Sequence, residues 1–414
     1  MAMGHQSGLK QPMHSGPIYW MMAIRHSRMI YNKFRFVIIL ALAGLLAGAS
    51  IDSKDFAAAD LFQIAKIWTV EFVFTPAQWK AMQPKNGPGS GHRELGREGG
   101  RNGYAAANGV VLDYTHGNFS IDGRSFDDVA VRYKGNGTFF QGQGDGKISL
   151  KVDLNKYVKG QKLAKIEKLN FANNITDMGW MNEELSYRLF RDAGVPAPRT
   201  SYARVNVTVT NQKAREYLGL YSIVEDVDDV FTQDRFGAKD GLLLKPVTTE
   251  LFRYLGEDWA KYNQMYDPKN TMTAAQTRRF LDFCKLVTDG SDAEFAAKVG
   301  DYLDVDEFAR FMAVTVWLTS LDGILDNGQN FYVWLNPATQ KFLLLRGPRT
   351  IHSDSFRGMV RLHSGEAFRL RVPIRMAIRF WLACLACLRF ERFIWQRCGS
   401  SATRFSGLSG LLRR

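Results

Sequence analysis

The first residues whose types and spacing could do chemistry are Asp322 and Asn330, in the stretch LTSLDGILDNGQNFY at 318–332. Asp322 follows an apolar helix candidate, Phe308–Leu318, and Asn330 opens a strand candidate, Asn330–Leu335. Phosphoryl-transfer enzymes of the kinase type keep a catalytic Asp and a magnesium-binding Asn in such a passage. Solvated loop polars account for the same pair without chemistry.

A second group lies upstream, in KGNGTFFQGQGDGK at 134–147, between strand candidates Ala130–Tyr133 and Ile148–Asp153. Gly135, Asn136 and Gly137 open it. Glycine lets backbone N–H groups approach phosphate oxygens, and a hairpin loop of this kind can cover the phosphates of a nucleotide. The segment is not a Walker loop, because no G-x-x-x-x-G-K-[ST] occurs. Lys147 and Lys151 lie four apart, on one face of the following strand, where either can neutralise phosphate charge. A plain glycine-rich hairpin is the alternative.

The elements that must position these groups follow a simple order. Trp68–Phe74 reads as a strand and Pro76–Met82 as a helix with proline at its start. Thr176–Arg199 is the clearest helical region, with Asp177 as N-cap, Leu185, Leu189 and Phe190 as its apolar stripe, and Gly194 and Pro196 ending it. Glu183 and Glu184 fall in its first turns. They either pair with a strand lysine or complement the helix dipole. Tyr217–Glu225 reads as a buried strand running into the acidic Glu225–Asp229, an interlobe hinge or simply an acidic helix start. GLLLKP at 241–246 is another strand, and helices are expected at 272–288, 292–301 and 305–318. Strands first and helices second favour an α+β fold.

Composition bounds the class. The chain has 414 residues, 46% hydrophobic, enough for a sizeable core. Its net charge of +13 is unevenly placed: residues 1–36 carry +5 and residues 346–414 carry +11, leaving −3 for 37–345. A nearly neutral body argues against a nucleic-acid partner. Cys284 is the one cysteine of the body, so no internal disulfide can hold it. Cys384 and Cys387 are spaced as a redox or metal pair would be, with no second pair to support one. Phe36–Ala49 is a 14-residue apolar run after a basic segment. It reads as a secretory signal with cleavage after Ala49, or as an uncleaved N-terminal membrane anchor. Met29 offers a conventional start. Residues 50–109 are expected to form an N-terminal extension with a mobile Gly-rich loop at 87–108.

Five blocks together, VRYKGNGTF, KISLKVDLN, ELSYRLFRDAGVPAPR, GLYSIVEDVD and LDGILDNGQNFYVWLN, occur in the order and spacing of the CotH kinase family, which the chain resembles over about residues 65–345. That family resembles atypical protein kinases and is named for a spore-coat protein. The resemblance implies a two-lobed kinase-like fold with the domain at 110–345. It also implies a secreted or envelope enzyme that moves the ATP γ-phosphate to Ser or Thr of an extracytoplasmic protein, using magnesium or manganese. Lys147 or Lys151 would then contact the phosphates, Glu183 would orient that lysine, and Glu225 would lie near the adenine. Asp322 would align the acceptor hydroxyl and Asn330 would help bind the metal.

The chain departs from the pattern where a W-D-x-D-x-[ST]-F-G type segment is due, near 346–355. It continues instead as RGPRTIHSDSFRGMV into a tail with 14 Arg and no Lys. Codons for Arg349–Phe356, read one base earlier, can give Asn-His-Ser-Phe-Gly-Gln-Phe, and Arg346-Gly347 can hide a Trp codon. Residues from about 346 onward therefore read as out of frame, which leaves the C-terminal lobe incomplete and the enzyme defective. A genuine basic tail binding an anionic surface is the alternative, and a non-catalytic envelope protein on a kinase-like scaffold is the second reading of the whole. Sequencing the gene across the codons for 335–360 is expected to show an inserted or deleted base; an unchanged frame removes this reading.

Overall fold

In a computed structural model, residues 56–85, 97–98, 101–102 and 110–347 are described, except 136, 178, 249, 264, 319, 326 and 327. The signal or anchor at 1–49, the loop centred on 87–108, Asn136 and the tail beyond Gly347 therefore fall wholly or mainly outside the described residues.

Seven strands close into a barrel: β1 (Ile67–Phe74), β2 (Thr115–Ile121), β3 (Arg124–Tyr133), β4 (Leu150–Asp153), β5 (Lys168–Ala172), β6 (Thr200–Val209) and β7 (Lys213–Glu225). Their order around it is β1-β2-β3-β4-β5-β7-β6. The closing contact is parallel, Ile67–Phe74 of β1 against Tyr202–Val209 of β6. Alternation explains the barrel: along β1, Trp68, Val70, Phe72 and Phe74 are buried while their neighbours are not. Phe72 packs on Phe119 of β2 at 5.4 Å and on Phe171 of β5 at 5.6 Å. Because β1 and β2 are staves of this barrel, a boundary at 109/110 divides one folding unit. The expectation of a separate N-terminal extension missed the long-range pairing that local pattern does not report.

A second sheet joins β8 (Leu242–Pro246), β9 (Tyr266–Pro268), β10 (Phe331–Leu335) and β11 (Phe342–Arg346) in the order β9-β8-β10-β11. Helices fill the rest of this half. The long ones are Ala274–Asp289, Asp292–Tyr302 and Val305–Trp317. An aromatic core ties them to the sheet, with Phe283 stacked on Phe342 at 5.5 Å. The α+β expectation matches this mixture of a large sheet and several helices.

Two local expectations are corrected. The glycine-rich segment is not simply a loop. Gly137–Gly144 forms a helix inside the β3–β4 connection, because Gly142 lets the chain pack where a Cβ would meet the Lys147 carbonyl at 2.4 Å and Asn173 Nδ2 at 2.9 Å. Asn173 clamps the turn, donating to the Lys147 and Thr138 carbonyls at 2.7 and 3.3 Å. The helix expected from Thr176 starts only at Asn182 and runs to Asp192. Asp177 still serves its start, since its carboxylate accepts the Gly179 and Asn182 N–H groups, but from a turn that Trp180 completes at φ 55.

Gly142→Ala is expected to destabilise the chain by about 1–3 kcal/mol through overpacking. Gly144→Ala, with open space around its Cβ, should be neutral or stabilising by up to about 1 kcal/mol from helix propensity. Urea melts of the two variants check the contrast.

Candidate functional site

The C-terminal end of β7 sends its two carboxylates to different partners, as successive side chains of extended backbone must. Glu225 is buried and held by two guanidinium groups. Its Oε2 accepts the Arg199 N–H at 3.0 Å, Arg199 Nε at 3.1 Å and Arg235 Nη2 at 2.9 Å. It is thus a strut between strand and helix. Asp226 takes the other direction. Its Oδ2 pairs with Lys151 Nζ at 2.7 Å and its Oδ1 accepts from Asn170 Nδ2 at 2.9 Å.

Around this pair lies a concentration of ammonium groups. Burial opposes ionisation of Asp226, but Lys151, the Asn170 amide and Lys168 overcome it and hold the carboxyl below the ordinary range. Burial and the Asp226 charge push Asp228 up to about 6, against the pull of Lys168 at 3.4 Å. Lys134, which directly follows β3, is lowered to about 8 by burial and the Lys151 charge, with Asp226 and Glu183 opposing. Lys245 on β8 is lowered to about 7 by burial and by Lys269 and Lys134. Partly dehydrated ammonium groups repelling one another are stabilised by an incoming oxyanion, which makes this cluster a candidate phosphate site.

Sequence reasoning pointed at Lys147 and Lys151, and the structure separates them. Lys147 precedes the strand, which starts only at Leu150, so the four-residue spacing does not place both on one face. The Lys147 ammonium lies over the Tyr221 ring at 5.3 Å and 5.9 Å from that of Trp180. Lys151 is in the cluster, already paired with Asp226. Lys134, Lys168 and Asp226 were missed. The available signal was Lys134 itself, the residue before the first glycine of KGNG.

Glu183 sits in the first turn of the Asn182–Asp192 helix and is buried. Tyr187 donates its hydroxyl to Oε1 at 2.9 Å, while Oε2 has no hydrogen-bond partner among the described residues. Burial raises its pKa, opposed by Tyr187, Lys134 and Arg346. Lys134 is the lysine whose charge acts on Glu183. Gly135, at φ +115, turns the chain away from Lys134, and Gly137 begins the short helix.

Asp322 and Asn330 are brought together. Asn330, in the left-handed region at φ 64, donates Nδ2 to the Asp322 carbonyl at 2.8 Å, and Gln329 Nε2 donates to Asp322 Oδ1 at 2.9 Å. Gly347 presses against Asn330 so closely that a Cβ would lie 2.8 Å from its carbonyl. Beside them Arg346 is buried, its Nη1 3.4 Å from the Asn330 carbonyl and its Nε and Nη2 without partners among the described residues. Magnesium demands near-octahedral oxygen coordination. No group of three or more His, Cys, Asp or Glu is found among the described residues; the Asn330 amide nitrogen is given to the Asp322 backbone, which leaves its Oδ1 as the atom a metal would take. Asp322 and Asn330 are the oxygen donors on hand here, and the residues after Gly347, where a further Asp was expected, lie outside the described region.

A family model described as CotH kinase protein matches residues 131–346, just over half of the chain. No curated protein matches. Among the described residues no helix is long and apolar enough to cross a membrane; the apolar run at 36–49 is not among them.

The carboxylate pair gives a pH signature. Asp228 binds its proton more tightly folded than unfolded, so its contribution to stability grows as pH falls through about 6 toward about 4. Asp226 does the reverse: its contribution is present above the ordinary carboxylate range and is lost as pH falls through its lowered folded value. Asp228→Asn, which keeps an N-cap, is expected to remove the gain between about pH 7 and about pH 4.5 and to retain the acid loss below it, as read from melting temperatures across that range.

Proposed function

The chain belongs to the CotH kinase protein family, and from that premise we propose that it is an extracytoplasmic protein kinase scaffold. It would take ATP and pass the γ-phosphoryl group to a Ser or Thr hydroxyl of a protein substrate. The observation that carries the reading is the gathering of Lys134, Lys151 and Lys245 in one buried neighbourhood, with Lys151 paired to Asp226 and Asp226 also acting on Lys134. Such a surplus of ammonium groups suits a polyphosphate. The barrel half would be one lobe, covering the nucleotide, and the helix-rich half the other, carrying Asp322 to the acceptor hydroxyl. Secretion or anchoring rests on the apolar run at 36–49.

In this reading Asp322 accepts a hydrogen bond from the acceptor hydroxyl and aligns it for attack, while the lysines offset charge on the phosphates. One observation favours a weak or absent transfer step in the chain as written. At the end of β11, just before the segment where a metal-holding Asp is due, the chain has Arg346, a buried cation acted on by the charges of Glu183 and Asp322. The second reading, a nucleotide-binding or purely structural envelope protein on the same scaffold, follows from that.

Mg-ATP or Mn-ATP is expected to raise the melting temperature of the chain. In the frame-repaired form Asp322→Ala is expected to reduce labelling of a Ser/Thr protein by about 100-fold or more, with nucleotide binding within about threefold of the parent. Binding without labelling in the frame-repaired form would leave the scaffold reading standing. No thermal shift in either form removes the nucleotide reading.

A further inference from the structure

Strands β4 and β5 set a primary amine opposite a carboxamide. Lys151 and Asn170 are directly paired residues of these two antiparallel strands, a placement from which side chains meet on one face of the sheet. Both reach the same carboxylate. Lys151 Nζ lies 2.7 Å from Asp226 Oδ2, and Asn170 Nδ2 donates to Asp226 Oδ1 at 2.9 Å. The place is dry: Asn170 is 1% and Asp226 9% exposed, and the Lys151 side chain 17%. A nucleophile, an electrophile and an acid–base group therefore converge where water is largely excluded, and phosphate binding gives the asparagine no task there.

We propose that Lys151 and Asn170 join in an intramolecular isopeptide bond, with Asp226 as the proton carrier. The ammonium proton of Lys151 crosses its hydrogen bond to Asp226, and the free amine attacks Asn170 Cγ. The Nζ–Cγ bond forms, the Cγ–Nδ2 bond breaks, and Nδ2 leaves as ammonia. Of the two protons that the lysine nitrogen gives up, one departs on that ammonia and the other stays on Asp226 until ammonia or water carries it off. Nothing is oxidised or reduced. The Asp226 carboxyl lies below its ordinary range, so the first transfer is uphill and the reaction slow. Loss of ammonia makes the product permanent, and the held proximity of the two groups supplies what an ordinary bimolecular amide exchange lacks.

The bond closes the 151–170 segment covalently at the end of the barrel where the lysines gather. A disulfide cannot serve in its place, since Cys284 is free and buried and is the one cysteine of residues 37–345. Linkage removes the Lys151 charge, leaves Lys134 and Lys245 as cations of the cluster, and gives Asp226 an amide N–H to accept. The inference is independent of the nucleotide reading, which neither needs the bond nor supplies a reactant for it.

The test is peptide mapping by mass spectrometry of the folded full chain. The expected result is a branched peptide that joins the segments carrying Lys151 and Asn170 and is lighter than the two together by one ammonia, about 17 Da. Lys151→Arg, which keeps a cation for Asp226, should show no branched peptide, and neither should Asn170→Ala. Asp226→Asn should slow its formation by about 100-fold. Should a variant fail to fold, the unchanged chain decides by itself. Lys151 and Asn170 recovered from it in separate peptides of full mass overturn the inference. Ammonia loss that maps to Asn170 alone, as a cyclic imide with the Lys151 amine free, does the same. A branched peptide that forms as fast in Asp226→Asn overturns the role given to Asp226.

Discussion

The buried ion pair between Lys151 and Asp226 is the constraint on which the rest of the site depends. Their charged atoms are 2.7 Å apart, and the Asn170 amide satisfies a further carboxylate lone pair. Each partner makes the burial of the other tolerable, and removing either typically costs about 3–5 kcal/mol. The pair joins β4 to the segment leaving β7, strands that are not neighbours in the barrel because β5 lies between them. Asn170, which bridges the two, belongs to that intervening strand. Three staves are thereby fixed at the end where the lysines gather.

Once that pair is set, the rest of the cluster follows from charge. Lys151 draws on Asp226, whose charge offsets only part of the burial and repulsion that lower Lys134, while Lys269 and Lys134 crowd Lys245. Glu225, one residue earlier, is turned the other way and absorbed by Arg199 and Arg235. Two adjacent acids thus have opposite uses, one facing the lysines and one bracing the barrel against the Asp229–Phe236 helix that carries Arg235.

How much of this was legible in the sequence depends on the range of the interactions involved. The helices Ala274–Asp289, Asp292–Tyr302 and Val305–Trp317 lie within two residues of their expected bounds, because apolar period and N-caps such as Ser291 and Asp304 are local signals. Pro76–Met82 was marked by its proline, and the structure adds a Thr75/Gln78 capping box. The proximity of Asp322 and Asn330 could be anticipated because only a loop separates them. The barrel could not: β1 meets β6 across more than a hundred residues, and no local pattern encodes that pairing. The same limit hid Lys134. Its importance comes from Lys151, Glu183, Asp226 and Lys245, four partners on four other segments. The spacing that selected Lys147 was a strand rule applied three residues before the strand begins.

Arg346 shows the opposite situation, a residue whose local context argues against it. It ends the strand FLLLR, whose other members are apolar and buried, and its guanidinium packs 5.5 Å from the Phe190 ring with two nitrogens unpartnered. Burial lowers its pKa, opposed by Tyr187, Glu183 and Asp322. An evolved core seldom keeps a buried cation so poorly satisfied, since each orphaned donor costs about 1–3 kcal/mol. Strand β11 otherwise reads as an ordinary buried strand of the second sheet up to Leu345, and the family match ends at Arg346. A shift of frame at about residue 346, as the sequence suggests, would put an arbitrary side chain at the end of this strand, and it would account for the buried charge, the lost W-D segment and the lysine-free tail by a single cause.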